Sequence, residues 1–360
     1  MKQNYKIYAK NLDDSVKKQF FDALELDCNV YGALMSDAHK GYVIPIGSVI
    51  KSQEMIFPAY VGYDIGCGMC ALKLDITKEQ LSKNFLLYLK EKITQQIPIG
   101  FLMQKKAQEY EIPPSTQIAK KIYQKIGKFS LATLGGGNHF IEIGYGKDGY
   151  IWIIIHSGSR KFGYEIAKHY MQLAAKEVNE IEGHFGFELS SSLAQEYILD
   201  MNCALEFALE NRKRMIQKIQ SMFGNPKTLQ FINKNHNHAE IIQENFVIHR
   251  KGATQAQKGV FGVIPANMKD GSFIVKGLGC KESLFSSSHG AGRKLSRKEA
   301  KEKLSIKEFH KDMKDIITNH TDATIDESPK AYKDIFEVMQ QQKDLVEVVD
   351  HIKPLINIKG

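Results

Sequence analysis

Short runs of β-branched and aromatic residues recur between long helical patterns, and this alternation is the feature that most limits the fold. Each run has Gly, Asn or Asp close by, as strands usually do; the runs are 47–50, 140–143, 150–155, 246–248 and 272–275. Their apolar and polar positions alternate irregularly, unlike the continuous apolar strands of a doubly wound parallel sheet. We therefore predict an α+β fold in which mixed strands are flanked by helices.

Four helical patterns separate these strands. Thr77-Lys78-Glu79-Gln80 has the sequence of a capping box and predicts a helix that runs towards Gln95. Two further helices are expected at about 163–181 and 191–223, and the second has one apolar stripe, formed by Leu193, Tyr197, Met201, Leu205 and Ala208. Pro329 suits a first helical turn and predicts a last helix that ends near Val349.

No repeat, low-complexity tract or Pro/Gly/Ser-rich linker divides the 360 residues. The candidate functional motifs run from Asp37 to Lys359, which predicts one domain over residues 1–360. The longest apolar run, 150–155, is far shorter than the roughly 20 residues of a membrane span, and the N-terminus lacks the apolar segment of a signal peptide. We therefore expect no membrane association.

Five cysteines without regular spacing do not form a disulfide framework, so a reducing compartment, the cytoplasm, is expected. The net charge of +8 permits a polyanionic partner. It is equally expected of a solvated lysine-rich surface, so the charge alone selects no function.

Four histidines stand beside small residues at the ends of predicted strands. His139 ends Gly-Gly-Gly-Asn-His, His156 precedes Ser-Gly-Ser-Arg, His249 precedes Arg-Lys-Gly-Ala, and His289 lies in Ser-Ser-Ser-His-Gly-Ala-Gly-Arg. Strand ends and loops are where binding groups are usually presented. A single histidine in such a context is more often structural, but four together indicate a site.

An aspartate and a cysteine three residues apart add to this set. Asp64 and Cys67 lie in the glycine-rich stretch 61–69 and can direct a carboxylate and a thiolate towards one point. With the histidines they provide mixed O, S and N ligands, and a shared thiolate would allow a dinuclear centre. Cys/His ligand sets favour zinc, but the carboxylate ligand also allows manganese. A redox or zinc-ribbon interpretation of Cys67-x-x-Cys70 is not favoured, because the sequence has no second CxxC.

The common phosphate-binding loops, G-x-x-x-x-G-K-[ST] and G-x-G-x-x-G after a strand, are absent from the sequence. Backbone N–H groups and guanidinium side chains of 135–140, 250–253 and 290–293 could bind phosphate instead. His289 is flanked by open backbone and by Arg293, which suits a nucleophile towards phosphorus, but a role as a further metal ligand fits the sequence equally well.

These motifs, taken in order, resemble the RtcB family of 3′-phosphate/5′-hydroxyl RNA ligases over nearly the whole chain. The resemblance rests on 36–41, 61–69, 135–140, 156–160, 249–253, 289–293 and 358–360, together with Asp326-Glu327-Ser328-Pro329 and Tyr332-Lys333-Asp334. It implies a single large domain whose mixed strands surround a dinuclear metal pocket. It also implies two Mn²⁺ ions, GTP as cosubstrate and RNA with broken ends as substrate.

The resemblance implies a role for each matching residue. His289 would carry GMP covalently, and the two ions would be bound by Asp64, Cys67, His139, His156 and His249. Contacts to guanylate would come from Asn138, His139, Phe140, Ile141, Glu142, His249, Pro265, Ala266, Asn267, Met268, Ser272, His289, Gly290, Ala291, Gly292 and Lys359. Guanidinium chemistry assigns Arg160, Arg250 and Arg293 to RNA or nucleotide phosphates.

The family's mechanism implies the order of events. His289 would attack the α-phosphate of GTP, and the GMP would pass to an RNA 3′-phosphate, formed where necessary from a 2′,3′-cyclic phosphate. A 5′-hydroxyl end would then displace GMP. The RNA could be a spliced tRNA, a cleaved tRNA or a damaged rRNA. An archease-like activator is a candidate partner, but the sequence does not show whether one is required.

The sequence departs from the family at one loop. It has Pro265-Ala266-Asn267-Met268-Lys269 where the family usually has Pro-Gly-Ser-Met-Gly, so a changed nucleotide preference is expected. This loop keeps open a metal-dependent phosphodiesterase that does not transfer guanylate. A non-catalytic RNA-binding module fits less well because the candidate metal ligands are all present.

Overall fold

The computed structural model describes residues 4–176 and 181–360. Ten α-helices are found in these ranges: α1 Asp14–Leu24, α2 Pro58–Val61, α3 Lys83–Gln96, α4 Gln117–Ile122, α5 Lys128–Ser130, α6 Arg160–Ala175, α7 Ser192–Met222, α8 Arg297–Lys303, α9 Ile306–Met313 and α10 Ile335–Gln341. A π-helical segment, Tyr123–Gly127, joins α4 to α5. Short 3₁₀ turns lie at Lys78–Gln80, Gln243–Asn245, Asp322–Glu327 and Pro329–Ala331.

The strands in these ranges are β1 Tyr5–Ile7, β2 Asn29–His39, β3 Ile46–Gln53, β4 Met55–Ile56, β5 Gly68–Thr77, β6 Phe140–Tyr145, β7 Tyr150–Ser157, β8 Phe187–Glu188, β9 Thr228–Asn235, β10 Asn237–Ile242, β11 Phe246–Lys251, β12 Ala253–Gln255, β13 Phe261–Pro265, β14 Ser272–Gly277, β15 Ser286–Ser288, β16 Ile317–Thr318 and β17 Val346–Lys359. Helices and mixed strands therefore form the α+β fold that the sequence predicts. The assignment of all 360 residues to one domain stays a prediction.

Two large sheets organise the molecule. One has the order β1-β2-β3-β11-β10, and the other has the order β13-β14-β17-β6-β7-β5-β9, with β16 beside β17. Helix α7 packs its buried residues against β5, β7 and β9, so one face of the larger sheet is covered. Strand β12 follows β11 of the smaller sheet and pairs with β15, which ends directly before the loop that begins at residue 289.

All five predicted strands are found, and each is longer than predicted. The helix predicted at 191–223 is α7, in which Tyr197, Met201 and Ala208 are fully or almost fully buried. The helix predicted at 163–181 is α6, which ends at Ala175. The predicted end, Ile181, is not helical, and residues 177–180 of the prediction lie outside the described residues. Among the described residues, no helix is long and apolar enough to span a membrane.

Two helix predictions are wrong in part. The capping box at Thr77 forms, but it begins only a 3₁₀ turn, and Ser82 caps the separate helix α3. The helix predicted from Pro329 to Val349 is a 3₁₀ turn followed by the short α10, and from Val346 the chain is β17. Val346, Val348 and Val349 are β-branched residues that favour a strand between two partner strands.

Candidate functional site

Four strand ends of the larger sheet meet at one edge. Cys67 directly precedes β5, His139 directly precedes β6, His156 lies near the end of β7, and His236 directly follows β9. The register pairs His156 with both Met69 and Phe140, and Gly68 with Asn235. Because neighbouring antiparallel strands start and end at the same edge, residues far apart in the chain come together here.

Among the described residues, two groups of three side chains have ligand atoms that all lie within 4.8 Å of one another. The first group contains Asp64, Cys67 and His139, and the second contains Cys67, His156 and His236. The Cys67 Sγ atom lies 3.3 Å from His139 Nε2 and 3.2 Å from His156 Nε2. His156 Nε2 lies 3.3 Å from His236 Nε2, and His139 Nε2 lies 3.0 Å from Asp64 Oδ2.

Backbone carbonyl groups orient two of these imidazoles. His139 Nδ1 lies 3.0 Å from the Leu134 carbonyl oxygen, and His156 Nδ1 lies 3.2 Å from that of Asn138. A carbonyl accepts a hydrogen bond only from a protonated nitrogen, so the tautomer that satisfies these carbonyl groups has its proton on Nδ1 and a free lone pair on Nε2. Both lone pairs therefore point towards Cys67.

Burial and neighbouring charges shift the pKa values of these candidate metal ligands. Burial lowers the pKa of His139, and it lowers the pKa values of His156 and His236 well below the usual range, which favours the neutral form of all three rings. Burial and the neighbouring Asp64 raise the pKa of the Cys67 thiol well above its usual range. Burial opposes ionisation of Asp64, but His139 and Arg160 outweigh it and hold its pKa below the usual value.

Two buried arginines support the ligand groups from behind. Arg212 of α7 donates from Nη1 to the carbonyl oxygens of Gly66 and Ser157, 2.8 Å away in each case. Arg160 places Nη1 3.0 Å from His139 Nδ1 and does not line the cavity described below, so the assignment of Arg160 to substrate phosphate is not supported. At Gly135, where φ is +88°, a Cβ would lie 1.8 Å from the Arg160 guanidinium, so this position requires glycine.

His249, predicted as a metal ligand and a guanylate contact, is not brought to the cluster. The strand extends two residues past it to Lys251, so His249 lies inside β11 and not at its end. Its ring is fully buried against Phe57 and Tyr60, and its Nε2 accepts a hydrogen bond from the Phe57 N–H at 3.0 Å. His236 takes the place in the ligand set that the sequence predicted for His249.

His289 lies beside the second ligand group and in contact with a buried carboxylate. Its ring centroid is 4.8 Å from that of His236, and its Nδ1 lies 2.7 Å from Asp37 Oδ2. The same oxygen accepts hydrogen bonds from the backbone N–H groups of His289 and Gly290, both at 3.2 Å. Asp37 thus holds the backbone at His289 and Gly290 and lies beside the His289 ring. A proton on Nδ1, towards Asp37, would leave the Nε2 lone pair free.

One cavity of about 500 Å³ joins the ligand groups to His289. Of the residues predicted to contact guanylate, the following line this cavity: Asn138, Phe140, Pro265, Ala266, Asn267, Met268, His289, Gly290, Ala291, Gly292 and Lys359. These residues come from distant parts of the chain, and the structure places them around one space.

Five predicted guanylate contacts do not line this cavity: His139 of the ligand groups, His249 in β11, and the three described here, Ile141, Glu142 and Ser272. Ile141 points into the hydrophobic core, because successive residues of β6 face opposite sides of the sheet. Glu142 is buried and accepts a hydrogen bond from Asn357, which does line the cavity. Burial raises the pKa of Glu142 to about 8, against the opposing effects of Ser272, Asn357 and Lys359. Ser272 is fully buried in β14 and does not line the cavity.

A cation cluster, which we define as Arg293, Arg297 and Lys359, forms one wall of the cavity. All three contact the buried carboxylate of Glu327: Lys359 Nζ at 2.7 Å, Arg297 Nη1 at 2.8 Å and Arg293 Nη1 at 3.3 Å. Burial opposes ionisation of Glu327, but Lys359 and Arg297 outweigh it and hold its pKa below the usual value. Since Asp326 is the only other carboxylate paired with this cluster among the described residues, positive charge is in excess.

Arg250 does not line this cavity, so the structure gives no support to its assignment to a substrate phosphate, which stays a prediction. Its guanidinium is buried and hydrogen-bonds to Ser286, Glu240 and the Leu284 carbonyl, which leaves it no free face. The neighbouring Lys251 does line the cavity.

The loop that departs from the family sequence still lines the cavity, except at its lysine. The Asn267 side-chain oxygen accepts hydrogen bonds from the N–H groups of Lys269 and Asp270, which closes a tight turn. Lys269 is directed away and pairs with Asp312 at 2.8 Å. The structure therefore does not place the charge of Lys269 among the lining residues.

Several residues of the site were not given a role from the sequence, namely His236, Asp37, Arg297, Glu327 and Asn357. His236 follows a strand as the other histidines do, but Asn233, Lys234 and Asn235 hide the end of β9 in a polar stretch. Asp37 and Glu327 belong to the quoted motifs, but only the fold shows which cation or imidazole each one contacts.

Comparison with known proteins agrees with this geometry. The family model described as "tRNA-splicing ligase RtcB" matches residues 26–124 and 109–360. The chain is 37% identical to the RNA-splicing ligase RtcB of Escherichia coli K12 over 91% of this chain and 90% of that protein. It is 36% identical to RNA-splicing ligase RtcB1 of Escherichia coli ATCC 25922, also over 91% of this chain and 90% of that protein. It is 27% identical to the tRNA-splicing ligase RtcB of Nanoarchaeum equitans over 91% of this chain and 87% of that protein. The chain therefore belongs to the RtcB family.

Proposed function

We propose that this protein is an RNA ligase that joins a 3′-phosphate or 2′,3′-cyclic phosphate end to a 5′-hydroxyl end, with GTP as cosubstrate. The observation that carries the proposal is His289, held by Asp37 at the point where two ligand groups sharing Cys67 meet a wall of excess positive charge. The relatives named RNA-splicing and tRNA-splicing ligases support RNA, and tRNA in particular, as the substrate class.

The ligand groups fit two divalent cations. Donor atoms 3.0–3.3 Å apart are spaced as expected for atoms that bind one ion at about 2 Å each. Asp64, Cys67 and His139 would hold one ion, and Cys67, His156 and His236 would hold the other. We propose Mn²⁺ for both, which would supply positive charge against phosphate oxygens during phosphoryl transfer. Thiolate and imidazole also suit zinc, so an experiment should compare the two ions.

The protein's own residues account for the first step. Asp37 keeps the proton on His289 Nδ1, so Nε2 attacks the α-phosphorus of GTP. A P–N bond forms, the bond to the β-phosphate oxygen breaks, and pyrophosphate leaves with the electron pair. Phosphate oxygens of the nucleotide bind the cation cluster, whose excess charge stabilises the negative charge that develops.

The same imidazole then serves as the leaving group. An oxygen of the RNA 3′-phosphate attacks the phosphorus of GMP, the P–N bond breaks, and His289 regains its lone pair. The RNA now carries GMP on its terminal phosphate, so the 5′-hydroxyl of the second strand can attack that phosphate and release GMP. His289 returns to its starting state without a change in net protonation at Nδ1.

Covalent labelling tests this proposal. The wild-type protein is incubated with α-labelled GTP and either Mn²⁺ or Zn²⁺, followed by denaturing electrophoresis. We expect label on the wild type with Mn²⁺ and none on His289→Ala. The matched control is His310→Ala, a partly exposed histidine that does not line the cavity, and it should be labelled as the wild type is. Equal labelling of His289→Ala would contradict the proposal.

A metal-dependent phosphodiesterase is the alternative that the departing loop suggested. That loop lines the cavity from Pro265 to Met268, and its lysine is directed elsewhere, so the structure gives no specific support to this alternative. RNA-end hydrolysis that proceeds without GTP and without labelled protein would favour it.

A further inference from the structure

Three tyrosines form an aromatic surface at the cavity that the proposed chemistry does not use. Tyr42, Tyr63 and Tyr164, which we call the tyrosine shelf, all line the cavity. The rings of Tyr63 and Tyr164 are stacked, with centroids 5.0 Å apart and planes 24° apart. Tyr42 meets Tyr63 edge to face at 6.0 Å. The three rings therefore form one continuous apolar surface.

Two of these rings are open to solvent. Tyr42 is 68% exposed and Tyr164 is 42% exposed. The backbone around Tyr42 is held by Gln19 of α1, whose amide donates to the carbonyl oxygens of Gly41 and Tyr42. The Tyr63 hydroxyl donates to Glu182 at 2.8 Å. Exposed aromatic rings in a cavity are suited to stack on a planar ligand.

The shelf and the cation cluster both line the cavity and lie beside different residues of the site. Tyr63 directly precedes Asp64, and Asp64 contacts His139. In the cation cluster, Lys359 Nζ lies 5.2 Å from the ring centroid of Phe140, which directly follows His139. With the nucleotide phosphates bound by the cation cluster, as proposed above, the shelf is left for a second planar group.

A single cation stands beside the shelf. Lys251 is buried at the cavity wall, its Nζ lies 6.0 Å from the ring centroid of Tyr42, and it donates to the Ala59 carbonyl. The next residue is Gly252, where φ is +63° and a Cβ would lie 3.0 Å from the His289 ring. Lys251 thus belongs to the wall between the shelf and His289, where a phosphate to be guanylylated would have to lie.

We propose that the tyrosine shelf stacks the terminal nucleobase of the RNA strand that ends in a 3′-phosphate, and that Lys251 contacts that phosphate. A stacked base with its phosphate one nucleotide unit away matches the order shelf, Lys251, His289. Every base has an apolar face, so the shelf accepts any terminal base. This inference rests on the proposed ligase function. It assigns the RNA strand that ends in a 3′-phosphate to the tyrosine shelf.

Binding of a short single-stranded RNA tests the shelf. The RNA carries 2-aminopurine at its last nucleotide and a 3′-phosphate, and fluorescence quenching by the Mn²⁺-loaded protein gives the Kd. We expect Tyr42→Ala and Tyr164→Ala each to raise Kd by roughly 5- to 150-fold. Tyr42→Phe and Tyr164→Phe should bind as the wild type does. Tyr88→Ala is the matched control, since Tyr88 is 49% exposed on α3 and does not line the cavity.

Kinetics and charge give two further readouts. In multiple-turnover joining, the alanine variants should raise KM for the 3′-phosphate strand and leave kcat within about two-fold. Lys251→Met should reduce the preference for a 3′-phosphate end over a 3′-hydroxyl end, because the cation is lost and the volume is retained.

Unchanged RNA affinity in both alanine variants would overturn the inference, as would a loss confined to the 5′-hydroxyl strand. A loss of GTP affinity in place of RNA affinity would assign the shelf to guanine and would also overturn it. Failure of the ligase proposal looks different, because the wild type itself would then remain unlabelled by GTP and would join no RNA.

Discussion

A hydrogen bond to a backbone carbonyl decides what His139 and His156 can do. Their Nδ1 atoms face the carbonyl oxygens of Leu134 and Asn138, so Nε2 is free to bind a cation. His249 shows the reverse arrangement, because its Nε2 accepts from the Phe57 N–H and is unavailable to a metal. The same residue type therefore serves coordination in one place and packing in another.

This difference predicts which histidine completes the metal centre. After loading with Mn²⁺ and removal of free ion, the wild type should retain two ions, and His236→Ala should retain about one. His249→Gln, which keeps an acceptor for the Phe57 N–H, should retain both. Metal content per protein is measured by mass spectrometry of the bound ion. Loss of metal from His249→Gln together with full retention by His236→Ala would contradict the assignment.

The roles of residues in local motifs could be predicted from the sequence. Contacts between residues that are far apart in the chain could not. Asp64, Cys67, His139 and His156 stand at glycine-rich strand ends that the sequence displays. The sequence gives no comparable signal for Asp37 at His289, because 252 residues separate the two. Arg250 was predicted to bind phosphate because the sequence does not show its partners in the fold. These partners, Glu240 and Ser286, lie on other strands.

At the scale of elements, β17 joins the two halves of the larger sheet. It pairs with β14 along its first part and with β6 along its second part, and it delivers Asn357 and Lys359 to the cavity. Local sequence did not predict this strand, since Pro329 and Asp334 begin short helical turns just before it. The strand assignment is decided by its two partner strands, which local propensity does not contain.

The role of β17 predicts a large contrast between two of its own residues. Ile356 is fully buried in the core, whereas Val348 is 47% exposed on the same strand. Ile356→Ala should lower the free energy of unfolding by about 2–5 kcal/mol, because it leaves a cavity in a packed core. Val348→Ala should change it by roughly 0.5 kcal/mol or less. Urea unfolding of both variants measures the contrast, and similar losses in both would show that β17 is not packed as described.

At the scale of the whole molecule, the candidate site is assembled from both sheets. The larger sheet supplies the ligand groups, β2 of the smaller sheet supplies Asp37, and the pair β12-β15 leads into His289. Such a site exists only when the complete fold is present, which is why its motifs extend from residue 37 to residue 359. The α+β class could be predicted from alternating strand and helix patterns, but the meeting of the two sheets could not.

The central claim is that GMP on His289 is an intermediate in RNA joining, and a single-turnover chase tests it most directly. The protein is labelled with GTP and Mn²⁺, freed of GTP, and mixed with one RNA ending in a 3′-phosphate and one beginning with a 5′-hydroxyl. We predict that label leaves the protein as GMP in an amount equal to the joined RNA, and that His289→Ala treated in the same way joins none. Joined RNA without loss of label, or joining by His289→Ala, would contradict the account.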